Sequence, residues 1–222
     1  MMQPLILYTF NRFPVPQREF VFLLGQIPEQ FHSGIMRFIR WEDRQASLFG
    51  KLLLLKAFEI WGIPRSMMQR ISFNNWKRPI LPGKLDFNIS HSGEVIACII
   101  CRDGKIGIDV EVERKIHLPH FRSVLTAREM KSLELMEYPE PAFYEIWTKK
   151  ESVIKAEGKG FFNTLDNVES LGHNVVHLES EDWYVHPFDL AASYFCHAAM
   201  DKNWDTAEVQ QIDILQNWGL SF

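Results

Sequence analysis

The residues of this chain whose types and spacing could do chemistry are an acid pair, a later glutamate–lysine pair and a serine–histidine turn. Asp109 and Glu111 lie two apart in Gly107-Ile108-Asp109-Val110-Glu111. Ile106, Ile108 and Val110 alternate with them, which predicts a strand with one apolar face and both acids on the other. Neighbouring carboxylates repel unless a cation lies between them. Oxygen-only ligands suit Mg²⁺, which takes one or two carboxylates plus substrate phosphates; a solvated strand edge has the same pattern. Glu151 follows in Trp147-Thr148-Lys149-Lys150-Glu151-Ser152-Val153-Ile154-Lys155. Trp147, Glu151 and Lys155 recur at i,i+4 and so share one helical face. They form either a surface ion pair or a third oxygen ligand with a phosphate-facing cation. Ser90-His91-Ser92-Gly93 ends another predicted strand at a glycine turn, where a histidine is exposed and serves either phosphate or structure.

These groups need elements to hold them. Apolar residues at helical spacing predict a helix over 44–61, closed by Gly62 and Pro64. Alternation predicts strands over 85–90, 95–101 and 106–111, with turns at Ser92-Gly93 and Asp103-Gly104, which together read as a three-stranded meander. The second half repeats this order loosely, with a strong helix over 143–157 and strands over 183–189 and 193–200. The expected division is 1–113 and 114–222, with the boundary near Arg114 to Pro119.

The 222 residues are 46% apolar and 23% charged, an ordinary globular composition. No apolar run approaches the roughly 20 residues of a membrane span, and the start lacks a secretory pattern, so a cytosolic protein is expected. The net charge of −4 conceals a basic first half (residues 1–110, +5) and an acidic second half (−9). Such a split suits either an anion-binding first half or uneven surface charge. Cys98 and Cys101 form C-x-x-C inside a predicted strand, where residues three apart face opposite sides, so core packing is expected over redox or zinc chemistry. Gly158-Lys159-Gly160 lacks the spacing of a mononucleotide loop. His173 and His177 are four apart without a helix to align them, a weak basis for zinc.

In order, Asn88-Ile89-Ser90-His91-Ser92-Gly93, Gly107-Ile108-Asp109-Val110-Glu111 and Trp147 through Gly160 closely resemble the motifs of the surfactin-synthetase-activating type of 4'-phosphopantetheinyl transferase, N-I-S-H-S, G-[IV]-D-[IV]-E and W-x-x-K-E-[SA]-x-x-K. The likeness runs from about Arg37 to Met200. It implies an α+β fold of two similar lobes with the active site in the cleft between them, and a monomer. It implies transfer of the phosphopantetheine arm of coenzyme A to a serine of an apo acyl or peptidyl carrier protein, with neither nucleic acid nor membrane as partner. By position it implies Mg²⁺ on Asp109, Glu111 and Glu151, Lys155 facing the pyrophosphate, and His91 on the 3'-phosphate. Trp76-Lys77-Arg78-Pro79 resembles the family's Y-G-K-P segment beside the adenine, with Arg78 in the lysine place. The coenzyme contacts implied are therefore Arg44, Ser47, Lys77, Arg78, Ser90 and His91. Phe31 to Gly34 lacks the family's basic residues and Ala46 replaces one that is often basic; Arg37, Arg40, Arg44 and Lys51 are the nearby substitutes. Arg114, Lys115, Arg122, Arg128 and Lys131 read as a docking surface for an acidic carrier or as a solvated basic helix. The rival functions are a non-catalytic coenzyme A or carrier-binding module and another Mg²⁺-dependent phosphoryl-transfer enzyme such as a hydrolase.

Overall fold

A computed structural model describes residues 3–159, 165, 168–170, 172 and 174–220; Gly160 and His173, singled out above, lie outside them. The elements are β1 (Leu5–Phe10), α1 (Gln17–Leu24), α2 (His32–Met36), α3 (Trp41–Ile60), β2 (Ser72–Phe73), β3 (Pro79–Ile80), β4 (Leu85–Ser92), β5 (Val95–Arg102) and β6 (Ile106–Val112). They continue with α4 (Ala127–Glu134), α5 (Glu140–Glu157), β7 (Val175–Leu178), β8 (Glu181–Pro187), β9 (Tyr194–Met200), β10 (Glu208–Gln211) and α6 (Ile214–Asn217). Both long helices anticipated from the sequence form. α3 begins at Trp41, ahead of Arg44, with Glu42 and Asp43 in its first turn, where acids suit the positive end of the helix. α5 carries a proline in its first turn and ends at Gly158, whose left-handed φ of 84° lets its N–H close onto the Ile154 carbonyl.

The predicted meander does not form. β4 and β5 pair antiparallel within a sheet of order β10-β1-β5-β4, but β6 leaves that sheet and pairs with β9 in a second one, β6-β9-β8-β7. The crossing falls at the turn after β5. A division after residue 113 therefore separates β6 from its pairing partner, and β10 returns from the C-terminal half to lie parallel with β1.

The strands' alternation explains the layering. On one face of the first sheet, Leu5, Leu7, Phe87, Ile96, Cys98 and Ile100 pack under Leu48, Leu52, Leu55 and Phe58 of α3. On the other face, Ile6, Ala97, Ile99 and Cys101 meet Ile106, Ile108 and Val110 from the second sheet. Beyond that sheet, Trp183, Val185 and Ala199 pack against Val153, Ile154 and Ala156 of α5. The order is helix, sheet, sheet, helix. Cys98 and Cys101 fall on opposite faces of β5, as strand geometry requires, and burial raises the pKa of both thiols. They are core residues.

The two sheets are joined along β4 and β6 by an arrangement that strand periodicity alone does not reveal. Alternate side chains of β4 take the N–H groups that β6 turns away from β9. Asp86 Oδ2 accepts from Ile106 at 2.8 Å, Asn88 Oδ1 from Ile108 at 3.0 Å, Ser90 Oγ from Val110 at 3.3 Å and Ser92 Oγ from Val112 at 3.2 Å. A row of polar side chains thus stands in for a neighbouring strand's carbonyls and satisfies an edge that would otherwise be buried without partners. The opposite face of β6 is pressed against α5. A Cβ at Gly107 would land on the Ser152 carbonyl oxygen and the Ala156 nitrogen, so only glycine permits this approach.

Candidate active site

The close approach of β6 to α5 brings the acids together. Asp109 and Glu111 leave the β6 face that Gly107 shares, and Glu151 and Lys155 descend from α5 one turn apart. Lys155 Nζ lies 2.5 Å from Asp109 Oδ1 and 2.9 Å from Ser90 Oγ. Ser90 Oγ donates to Asp109 Oδ1 at 3.0 Å, and Ser92 Oγ donates to Glu111 Oε2 at 2.6 Å. Asp109 is 2% exposed and Glu151 7%, so Glu151 is not a surface residue.

The electrostatics of this cluster are unresolved in the acids' disfavour. Burial, Asp109 and Glu111 push the Glu151 carboxyl up to about 7 against the pull of Lys155. Burial raises Asp109 against Lys155 and Ser90, and burial raises Glu111 against its bond from Ser92. Asp109 Oδ2 and Glu151 Oε1 are buried without a hydrogen-bond partner. Buried polar atoms are rarely left so, and carboxylate oxygens in that condition are suited to a cation. Among the described residues no three His, Cys, Asp or Glu side chains stand together as a ready metal cage. The Lys155 ammonium already lies against Asp109. The donor set fits a hard divalent ion that shares its shell with phosphate oxygens.

A cavity lies on the other face of β4 from the acid cluster. Arg37, Ser47, Lys51, Phe73 and Lys77 line a cavity of about 480 Å³ together with Phe87 and Ile89 of β4. Lys51 Nζ donates to Ser47 O at 3.0 Å and Ser47 Oγ at 3.1 Å. Burial, aided by the Arg37 cation, pushes Lys51 down to about 8. This is an ammonium short of negative charge, the counterpart of the acid cluster. His91, on β4, feels charges from both sides. Desolvation, Lys155 and Lys51 lower its pKa, and Asp43 opposes them.

The remaining sequence candidates divide. Ser47 and Lys77 line the cavity. Lys77 adopts a left-handed φ of 64° in a turn tied by Asn74 Oδ1, which accepts from Trp76 and Arg78 N–H at 3.0 and 2.9 Å; the resembled pattern has glycine at this place, where such a φ is unstrained. Arg78 does not face the cavity. Its guanidinium grips Asp86 with two bonds, of 2.9 and 2.7 Å, and also donates to the carbonyls of Lys155 at 2.9 Å and Ile106 at 3.0 Å. It is a clamp between the first sheet, β6 and α5, as Arg's planar fork allows. Arg44 likewise is turned inward, donating to the Phe38 carbonyl at 2.7 and 3.0 Å, and braces the start of α3. The Ser90 hydroxyl spends its proton on Asp109 and its lone pairs on Lys155 and Val110, so it holds the acid cluster from beneath.

Sequence reasoning passed over Lys150, although the motif contains it. It is fully buried and bonds Glu129 at 2.5 Å and the carbonyls of Val124 and Leu165, both at 2.9 Å. Glu129 in turn completes the capping box of Thr126 and accepts from Ser170, so the pair fixes α4 and the following segments to α5. His197, opposite Asp109 on β9, was also unread. Its Nδ1 lies 2.7 Å from Thr148 Oγ1, and burial with the Lys149 charge lowers its pKa to about 3, keeping it neutral.

Residues 14–101 match the family model described as 4'-phosphopantetheinyl transferase, N-terminal, and residues 105–210 match the 4'-phosphopantetheinyl transferase superfamily. The two matches meet at the turn where the chain crosses from β5 to β6. The chain is 30% identical over 153 residues to the 4'-phosphopantetheinyl transferase Gsp of Aneurinibacillus migulanus, covering 67% of this chain and 63% of that protein. It is 31% identical over 159 residues to the 4'-phosphopantetheinyl transferase Sfp of Bacillus subtilis, covering 69% and 70%. A further Bacillus subtilis 4'-phosphopantetheinyl transferase is 31% identical over 187 residues, covering 78% of this chain and 81% of the relative.

Proposed function

The chain belongs to the 4'-phosphopantetheinyl transferase superfamily, in its Sfp-type branch, and from that we propose that it moves the phosphopantetheine arm of coenzyme A onto a serine of an apo-carrier protein, with Mg²⁺. The observation that carries this reading is the pair of buried, partnerless carboxylate oxygens on Asp109 and Glu151 beside Lys155. Asp109, Glu111 and Glu151 would hold the cation, and a cation so held supplies neutralisation of pyrophosphate charge.

The protein's own groups do the rest. The cavity cations Lys51, Arg37 and Lys77 hold the nucleotide end of the coenzyme, and His91 reaches the 3'-phosphate from β4. Lys155 leaves Asp109 to meet the pyrophosphate. The carrier serine's oxygen forms a bond to the β-phosphorus as the bond to the bridging oxygen breaks, and adenosine 3',5'-bisphosphate departs with that oxygen. Glu151, raised to about 7, is poised to take the serine proton directly or through water. The two halves, each a long helix packed on a four-stranded sheet, act as two lobes with the reaction between them. Arg114, Lys115, Arg122, Arg128 and Lys131 are all exposed and form the docking face for an acidic carrier.

The test is intact mass of several apo-carriers after incubation with coenzyme A, Mg²⁺ and this protein. A gain of one phosphopantetheine on a serine is expected. Coenzyme A consumed with every carrier unmodified would instead make the protein a hydrolase.

A further inference from the structure

We infer that Ser92 is a positioning residue that holds Glu111 in the orientation needed to meet a divalent cation. This rests on the proposed reading of the acid trio. A serine hydroxyl has one proton and two lone pairs, and at Ser92 both of its hydrogen bonds go to β6. Oγ donates to Glu111 Oε2 at 2.6 Å and accepts the Val112 N–H at 3.2 Å. The backbone of Ser92 is paired with Val95 in the β4–β5 ladder. With its backbone fixed and its hydroxyl held as donor and acceptor at once, the side chain has one orientation, and Glu111 Oε2 is tied to it.

The same device occurs one step earlier on both strands. Ser90 donates to Asp109 and accepts from Val110, two residues before Ser92, Glu111 and Val112. The copies differ in redundancy. Asp109 is held additionally by Lys155 and is nearly fully buried. Glu111 is half-buried, and among the described residues Ser92 alone donates a hydrogen bond to its carboxylate. Groups that orient a ligating carboxylate influence metal affinity as well as geometry. Glu111 therefore depends on Ser92 more than Asp109 depends on Ser90.

The experiment uses the full chain with coenzyme A bound, Mn²⁺ as the probe, and electron paramagnetic resonance to count free metal. Ser92→Ala should weaken Mn²⁺ binding about tenfold, with the KM for coenzyme A in excess metal unchanged within about twofold. Ser92→Thr, which keeps the hydroxyl, should restore Mn²⁺ affinity. Against a Glu111→Gln background, Ser92→Ala should add no further loss, because the effect runs through Glu111. Thermal unfolding of each variant reports the separate cost of the orphaned Val112 N–H. If Ser92→Ala leaves Mn²⁺ affinity intact while Glu111→Gln weakens it, or weakens it equally in both backgrounds, Ser92 serves structure alone and the proposal fails with the metal reading standing. If Glu111→Gln binds Mn²⁺ like the parent protein, Glu111 is not a ligand and both fall.

Discussion

The two recesses on either side of β4 are opposites. One gathers Asp109, Glu111 and Glu151 and leaves two carboxylate oxygens without partners; the other gathers Arg37, Lys51 and Lys77 around a cavity of about 480 Å³. In the first, burial and like charge push Glu151 up to about 7; in the second they push Lys51 down to about 8. Each recess disfavours the charge it carries. The lesson is that neither has its charge fully compensated: Lys155 pairs with Asp109 while Glu151 keeps a partnerless oxygen, and the hydrogen bonds of Lys51 go to Ser47 oxygens. On the proposed reading, a molecule with a phosphate at one end and a pyrophosphate with its divalent cation at the other would relieve both at once.

The largest expected effect comes from removing charge in the acid recess. Glu151→Gln keeps the shape and should lower kcat by about 10²–10⁴-fold, the usual worth of a general base, with weaker Mg²⁺ dependence measured in steady-state titrations. Normal turnover would remove Glu151 from the chemistry. Next is the clamp between the first sheet, β6 and α5. Arg78→Met strands the buried Asp86 carboxylate and should cost about 3–5 kcal/mol of stability in denaturant unfolding; an unchanged midpoint would show that the lobes do not rely on it. In the basic recess, Lys51→Met should raise the KM for coenzyme A by about tenfold to a hundredfold, the worth of one charge-assisted hydrogen bond. 3'-Dephospho-coenzyme A should be affected less. Equal changes would place Lys51 away from that phosphate.

The pH dependence of stability sharpens the contrast most. The native Glu151 value of about 7 lies above its ordinary 4.5, so the folded state holds that proton more tightly and unliganded stability falls as pH climbs from about 4.5 to 7. The native Lys51 value of about 8 lies below 10.5, so the folded state sheds that proton sooner and stability rises from about pH 8 to 10.5. Melting temperature against pH should show these opposite slopes, the first absent in Glu151→Gln and the second absent in Lys51→Met. Slopes that survive the substitutions would assign the titrations to other groups.

Much of this was legible because strand and helix periods place side chains. The acids of β6 share a face, Glu151 and Lys155 share another, and three motifs in order identify the family. What periodicity cannot convey is a partner. The chain after Asp103-Gly104 looks like the third strand of a meander, and nothing local says that β6 pairs with β9 while Asp86, Asn88, Ser90 and Ser92 bond it from the side. The return of β10 to β1 is hidden for the same reason. Arg78 looked like a phosphate ligand because its neighbours resemble an adenine-binding segment, whereas Asp86, eight residues later, claims its guanidinium. The acceptors of Arg44, backbone carbonyls of Phe38 and Ile39, are likewise not displayed by a sequence. Lys51 was only one of several basic substitutes on paper; the cavity and its missing counter-charge distinguish it.

The central claim is that the acid recess and the basic recess are two ends of one site. Mn²⁺ affinity, measured by calorimetry on the whole protein without coenzyme A and again with it saturating, tests this directly. Because Lys155 lies against Asp109 and has to yield that carboxylate, the account predicts weak Mn²⁺ binding alone. Binding should tighten at least about tenfold with coenzyme A, and coenzyme A should tighten by the same factor with Mn²⁺, as linkage demands. Identical Mn²⁺ affinities with and without coenzyme A would contradict it.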